Sequence, residues 1–106
     1  MEVFREGSRS GVIRWTAEAA EDFKGIRDYI AVDNLAAAIQ QCILITESIR
    51  QLERFPRMGK TAIRGTVRRL EVAKTHYVVF YQVKSGAVIL LGIRHGAMQI
   101  PSRFRK

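Results

Sequence analysis

Cysteine, histidine and long apolar runs are all scarce in this sequence. Cysteine occurs once, at Cys42, which excludes an internal disulfide framework and any zinc cluster built on cysteines. Histidine occurs twice, at His76 and His95, too few for a convincing metal site, so neither metal nor cofactor is expected. The longest apolar stretch, Ala87 to Ile93, falls far short of the roughly 20 residues that cross a bilayer as a helix. Met1 to Gly7 lacks the apolar core of a secretory signal. A chain of 106 residues holds one hydrophobic core, not two. A cytoplasmic, cofactor-free single domain with no membrane-spanning segment is the expectation that remains.

Acidic residues are scarce as well, but only in one half. Residues 1–56 carry seven basic and nine acidic groups, a net of −2, whereas residues 57–106 carry eleven basic groups and one acid, Glu71, a net of +10. A chain polarised in this way projects a positive field over one region. Nucleic acid, an acidic protein and an anionic membrane surface are the partner classes that fit. A merely soluble basic surface is the bland alternative.

Residues 1–11, with Gly7, Ser8, Ser10 and Gly11, read as a flexible leader. Val12 to Trp15 is a short β-type run, with Trp15 expected in the core. Thr16 offers a helix N-cap, followed by Glu18, Glu21 and Asp22 near the positive end of the helix dipole. Ala19, Phe23, Ile26 and Ile30 then mark one helical face. Gly25 lies on this helix at a cost of about 1 kcal/mol relative to alanine, which a close helix contact would explain. Asn34 caps a second helix whose stripe is Leu35, Ala38, Ile39, Cys42, Ile45, Ile49 and Leu52. Ile43 and Leu44 widen it, implying cover on more than one side. The break between the helices is short, so they form an antiparallel hairpin, and Phe55-Pro56 ends the second helix.

Arg57 to Gly65 reads as a basic loop. Three strands follow, Thr66 to Ala73, His76 to Val83 and Ala87 to Ile93, joined by the hairpin-length turns Lys74-Thr75 and Lys84-Ser85-Gly86. The fold class expected is α+β, a two-layer β-α-α-β-β-β arrangement with a helical hairpin packed on a mainly antiparallel four-stranded sheet. The sheet's other face carries aromatic and basic residues with no element of its own to cover it, the signature of a binding surface. The chain closes on a basic tail, 101–106, with Arg103 and Arg105.

These residues resemble a known family. Trp15-Thr16-x-x-Ala19-x-x-Asp22-Phe23-x-x-Ile26-x-x-Tyr29-Ile30 is similar to the first strand and helix of the RelE/ParE superfamily, the toxins of type II toxin–antitoxin pairs. Asn34-x-x-Ala37-Ala38 resembles the start of its second helix, and Phe55-Pro56-x-Met58-Gly59-Lys60 its helix-ending loop. Gly65-x-x-Arg68-Arg69-Leu70, Tyr77 to Val83, and Val88 to Ile93 with Arg94-His95-Gly96-Ala97 resemble its three last strands. The likeness covers about residues 12–100, one toxin domain.

The resemblance implies one of two activities. RelE-type toxins cut mRNA in the ribosomal A site; ParE-type toxins poison DNA gyrase. Cutting RNA through its own 2′-hydroxyl needs a base, an acid and cations. The candidates are Arg94, His95, Tyr81 and Arg68. The set is incomplete by the family's pattern: Val78 follows Tyr77 where an arginine is usual, no tyrosine follows Tyr81, and Met98 replaces a frequent arginine. His-Gly-Ala and Pro-x-Met-Gly-Lys look more like ParE.

The leading reading is therefore a non-enzymatic, ParE-like gyrase inhibitor that arrests growth, serves plasmid stabilisation, and is neutralised in a hetero-oligomer with a cognate ParD-like antitoxin. Arg68, Arg69, Tyr77, Tyr81, Arg94, His95, Arg103 and Arg105 are the candidate partner-binding residues, suited to an acidic antitoxin segment. A ribosome-dependent mRNA endonuclease and a non-toxic partner-binding module on the same fold are the alternatives. Core burial is the bland reading of Tyr77 and Tyr81, a solvated strand charge that of Arg68 and Arg69, and a backbone hydrogen bond that of His95.

Overall fold

The computed structural model describes residues 12–63 and 65–96. The expected leader (1–11) and basic tail (101–106, with Arg103 and Arg105) lie outside the described residues. The order is β1 (Val12–Trp15), α1 (Ala17–Asp33), α2 (Leu35–Gln51), β2 (Lys60–Ile63), β3 (Val67–Glu71), β4 (Tyr77–Lys84) and β5 (Ala87–His95). The sheet runs β1-β5-β4-β3-β2. β1 lies parallel to β5 and the other pairs are antiparallel. The two-layer α+β arrangement is the one expected, with one strand more. The stretch read as a basic loop contributes β2, an edge strand that pairs with β3 through a shifted register between Thr61 and Ile63.

Local chemistry starts and stops these elements. Thr16 does two jobs at once. Its hydroxyl accepts from the Ala19 N–H at 3.1 Å, capping α1, and donates to the Leu90 carbonyl at 2.7 Å, tying the helix start to β5. Asn34 ends α1 in an extended conformation and caps α2 by accepting from the Ala37 N–H at 2.9 Å. The helix ends at Gln51, with Leu52 as C-cap, a turn earlier than Phe55-Pro56. Ser85 and Gly86 both take positive φ, 50° and 80°, as a two-residue turn matched to strand twist requires.

The core lies between hairpin and sheet. Ala19 from α1, Ile45, Ile49 and Leu52 from α2, and Leu70, Val72, Val79, Tyr81, Val88, Leu90 and Ile93 from the sheet side pack as one cluster, flanked by Phe23 and Ile26. Leu90 and Ile93 share that face despite opposite parity because the β4–β5 register shifts between Phe80 and Tyr81, which turns the strand over by one residue. Trp15 is not core. It is 39% exposed and meets Phe23 edge-on at 5.5 Å between ring centroids.

Two further expectations change. The sheet's second face is not a bare platform: Val67, Val78 and Phe80 are buried there, Phe80 to 2% exposure, with Ala62, Ile63 and Leu91 packed alongside. The α2 stripe divides instead of being covered throughout. Ala38, Ile45, Ile49 and Leu52 are buried, but Leu35, Ile39 and Ile43 are exposed. Among the described residues the hairpin has one sheet beneath it and nothing above, so a wide apolar arc is not covered by packing on one side.

Gly25 has no close neighbour. A Cβ built there meets nothing within 4 Å, so the expected helix contact is absent among the described residues. Gly25→Ala is predicted to stabilise the fold by about 0.5–1 kcal/mol through the lower backbone entropy of alanine. Chemical denaturation of the refolded protein checks this, and an unchanged or lowered midpoint contradicts it.

Candidate functional site

β3 places Arg68 and Arg69 on opposite faces, as strand parity requires. Arg68 stands opposite Tyr81, and Arg69 opposite Phe80. Arg68 lies on the hairpin side. Its Nη1 donates to the carbonyls of Gly59 at 2.7 Å and Arg57 at 3.2 Å. Tyr81, fully buried, accepts from the Gly59 N–H at 2.9 Å. The two side chains thus clamp the Arg57–Gly59 segment that leads into β2. Arg69, on the other face, lies 3.5 Å from Glu71.

Burial pushes the Tyr81 hydroxyl above its ordinary pKa of 10.0, against the opposing pull of the Gly59 N–H and the charges of Arg68 and Arg57. The sign for stability follows. Unfolded tyrosine ionises near 10 and the folded group later, so this contribution is complete below about pH 10 and is lost as pH rises through the folded value. Thermal unfolding from about pH 9 to about pH 12 should fall more steeply in the wild type than in Tyr81→Phe. Parallel curves would contradict the assignment.

At the other end of β4, a cleft of about 300 Å³ is lined by Arg69, Glu71, Thr75, His76, Tyr77, Val78, His95 and Gly96. Tyr77 pairs with His95 across the ladder. The His95 ring stacks on His76 at 5.6 Å and meets Tyr77 edge-on at 5.8 Å. Thr75 shapes the preceding turn: its hydroxyl donates to Val72 O and accepts from Tyr77 N–H. Burial raises the Tyr77 hydroxyl as well.

Arg94 does not line this cleft. Its Nε lies 3.9 Å from the Asp22 carboxylate on α1 and has no hydrogen-bond partner among the described residues. Asp22 also accepts from the Ile93 N–H at 3.0 Å. β1 ends at Trp15, opposite Leu90, so the β5 edge beyond it loses its strand neighbour, and Asp22 supplies an acceptor there. Sequence reasoning counted Asp22 as a helix-dipole acid and as part of the family motif, without a contact of its own; its bond to β5, 71 residues away, leaves no local signal.

The four residues proposed for RNA cleavage therefore fall into three places. Arg68 and Tyr81 hold the loop before β2, Arg94 sits at the α1 edge, and His95 lies beside His76 and Tyr77. Tyr81 and Tyr77 are four residues apart on β4, roughly 13 Å along the strand. Among the described residues no three His, Cys, Asp or Glu side chains group as metal ligands. No helix among them is long and apolar enough to cross a membrane. Cys42 lies on α2, half-buried, and burial pushes its thiol up, which disfavours the nucleophilic thiolate.

Exposed apolar surface is instead concentrated on the hairpin. Leu35, Ile39 and Ile43 form an i, i+4, i+8 row on α2, and Tyr29 and Val32 stand out from α1 near the Asn34 turn. The width of the α2 apolar arc was the available signal, and it was read as burial.

Comparison with known proteins adds three findings. The family described as the ParE toxin of the type II toxin–antitoxin system, parDE, matches residues 13–100. Toxin RelE2 of Caulobacter vibrioides is 35% identical over 83 residues, covering 78% of this chain and 92% of that protein. Two solved structures share the fold. A chain of the chromosomal ParDE system from P. aeruginosa superposes with a TM-score of 0.68 at 24% identity, over 78% of this chain and 92% of that one. A chain of the toxin–antitoxin complex RelBE2 from Mycobacterium tuberculosis gives 0.52 at 22% identity, over 81% and 98%.

Proposed function

The chain belongs to the ParE toxin family of type II toxin–antitoxin systems, and we propose that it acts there as a non-enzymatic inhibitor of DNA gyrase, silenced in a hetero-oligomer by a ParD-like antitoxin. The observation that carries this reading is the dispersal of the candidate catalytic residues. Transition-state stabilisation at a phosphate needs cations and a proton-transfer group converging on one point. Here the Arg68 guanidinium is engaged by two backbone carbonyls and Tyr81 is fully buried.

The antitoxin has two surfaces to use. Its apolar side chains cover Leu35, Ile39 and Ile43, which water otherwise faces. Its acidic segment follows the basic second half of the chain, with Arg69, Tyr77, Arg94 and His95 as contacts. Arg68 and Tyr81 act from beneath by fixing the Arg57–Gly59 loop. Exposure of the α2 row predicts that the isolated toxin associates or aggregates until the antitoxin is added.

Supercoiling by purified gyrase tests the target. Inhibition by the toxin, relieved by the antitoxin, is the expected result; full supercoiling at a large excess of toxin would reject the proposal. One observation favours the mRNA endonuclease as second reading: the cleft beside Arg69 combines two imidazoles, a tyrosine and a guanidinium. Primer extension on translated mRNA after induction discriminates. Cleavage abolished by His95→Ala supports this second reading, and intact transcripts in arrested cells remove it.

A further inference from the structure

We propose that the pocket between the Arg57–Gly59 loop and the β2–β3 turn seats a phosphate of a single-stranded nucleic acid, with Phe55 beside it as a platform for a base. This inference goes beyond the gyrase reading and is tested separately from it.

The stretch that builds the pocket is basic without interruption. Between Glu53 and Glu71 the chain carries six basic residues and no acid. The pocket measures about 110 Å³, with Arg57, Thr61, Thr66 and Arg68 among its walls and Val67 and Val83 as apolar ones. Thr61 stands opposite Arg68 on the neighbouring strand and so shares its face. No carboxylate lines the pocket. Glu71 lies on the other face of β3, 3.5 Å from Arg69. Neither Arg57 nor Arg68 has an ion-pair partner among the described residues.

The donors are in place before any ligand arrives. Arg68 spends its Nη1 on the carbonyls of Gly59 and Arg57. The Nε and Nη2 protons, the rest of a guanidinium's donors, have no bond among the described residues. The same two bonds hold the backbone at Arg57, and buried Tyr81 holds Gly59 beside it. Both guanidiniums lie close enough to Tyr81 to act on its hydroxyl, so two like charges are held together without a counter-charge. An anion bridging them relieves that repulsion, and a site already rigid loses little freedom on binding.

Size and surroundings select the anion. The volume is close to four times a water's share of the liquid, about 30 Å³, which is the bulk of a tetrahedral group with four oxygens. A two-oxygen carboxylate underfills it. Two residues before Arg57, Phe55 is 58% exposed, with the Arg54 guanidinium 5.8 Å from its ring centroid. Cations that track the backbone beside an exposed aromatic are the combination that binds single strands. Neither histidine nor carboxylate lines the pocket, so it has no proton-transfer group and holds a strand without cutting it. Gyrase and the translating ribosome both work on nucleic acid, so either target offers such a strand to a toxin docked there.

Binding of a labelled single-stranded DNA to the refolded toxin, read by fluorescence anisotropy, tests this. Arg57→Gln removes a guanidinium from an exposed position, and Lys24→Gln makes the same charge change at an exposed position on α1. Arg57→Gln is expected to weaken binding roughly tenfold, Phe55→Ala roughly five- to tenfold, and Lys24→Gln by less than about twofold. The logarithmic salt dependence should lose about 0.7 of its slope in Arg57→Gln, one phosphate contact on a single strand, and keep the wild-type slope in Lys24→Gln. Circular dichroism checks that each variant is folded. Equal weakening by Arg57→Gln and Lys24→Gln would overturn the inference, because net charge alone would then account for binding. Saturation by inorganic phosphate without measurable oligonucleotide binding would overturn it too, assigning the pocket to a free anion. So would an Arg57→Gln variant that loses antitoxin affinity but binds the oligonucleotide as wild type does, which would place an acidic peptide there. A toxin that spares gyrase yet shows the Arg57 dependence keeps this inference and loses only the earlier reading.

Discussion

Alanine at position 59 is expected to destabilise the protein by about 2–3 kcal/mol, the upper part of the range for overpacking a closed site. Gly59 is buried where the chain leaves α2 for β2. A Cβ there meets Tyr81 Oη at 2.6 Å, the Arg69 carbonyl at 2.7 Å and Tyr81 Cε1 at 2.8 Å. None of these can withdraw cheaply. The carbonyl belongs to the β3 backbone, and the tyrosine ring is locked within the core. Moving Gly59 outward would break its N–H bond to Tyr81 and the Arg68 bond to its carbonyl together. For a domain of this size the loss corresponds to a melting temperature lower by roughly 10–20 °C. Thermal unfolding of the refolded toxin gives the answer. A variant melting within a few degrees of wild type would show that the loop relaxes freely.

Asp22 is the second sensitive point. Its carboxylate accepts from the Ile93 N–H and lies beside the Arg94 Nε. Asp22→Ala leaves a β5 donor without its acceptor and a guanidinium without its counter-charge. The expected loss is about 2–3 kcal/mol, the scale for a hydrogen bond to a charged group. Asp22→Asn retains an acceptor for the Ile93 N–H but not the charge, so it should lose less, about 1 kcal/mol. A cycle with Arg94→Met separates the terms, since coupled neighbours depart from additivity by roughly 0.5–3 kcal/mol. Equal losses for alanine and asparagine would show that charge rather than hydrogen bonding dominates. No loss in either would show that the β5 edge does not need this acceptor.

Much of the fold was legible because its signals are local. Thr16 and Asn34 announce caps within three residues of the amides they satisfy, and Lys84-Ser85-Gly86 announces a tight turn. The opposite facing of Arg68 and Arg69 follows from strand parity alone. β2 was not legible. Lys60-Thr61-Ala62-Ile63 is four residues long, its first two residues are exposed, and its register is irregular, so it has neither the alternation nor the apolar run that marks a strand. The shifted β4–β5 register hid which β5 residues share a face. At the site, sequence located the cations but not their engagements. Arg68 bonds carbonyls nine and eleven residues away, and Arg94 reaches a helix on the far side of the chain. The exposed hairpin was misread because an apolar arc looks the same whether tertiary structure or a partner covers it.

The parallel pairing of β1 with β5 carries a consequence for how the molecule comes into being. Thr16 binds a carbonyl 74 residues further along, so the sheet's last seam joins the two ends of the described chain. Such distant closure is slow compared with forming the helical hairpin or the β3–β4–β5 meander. A nascent toxin emerging from the ribosome therefore exposes hairpin and meander before its first strand has anything to lie against. During that interval its unclosed edge and apolar helices are exposed to aggregation, and a chaperoning partner would have its greatest advantage then.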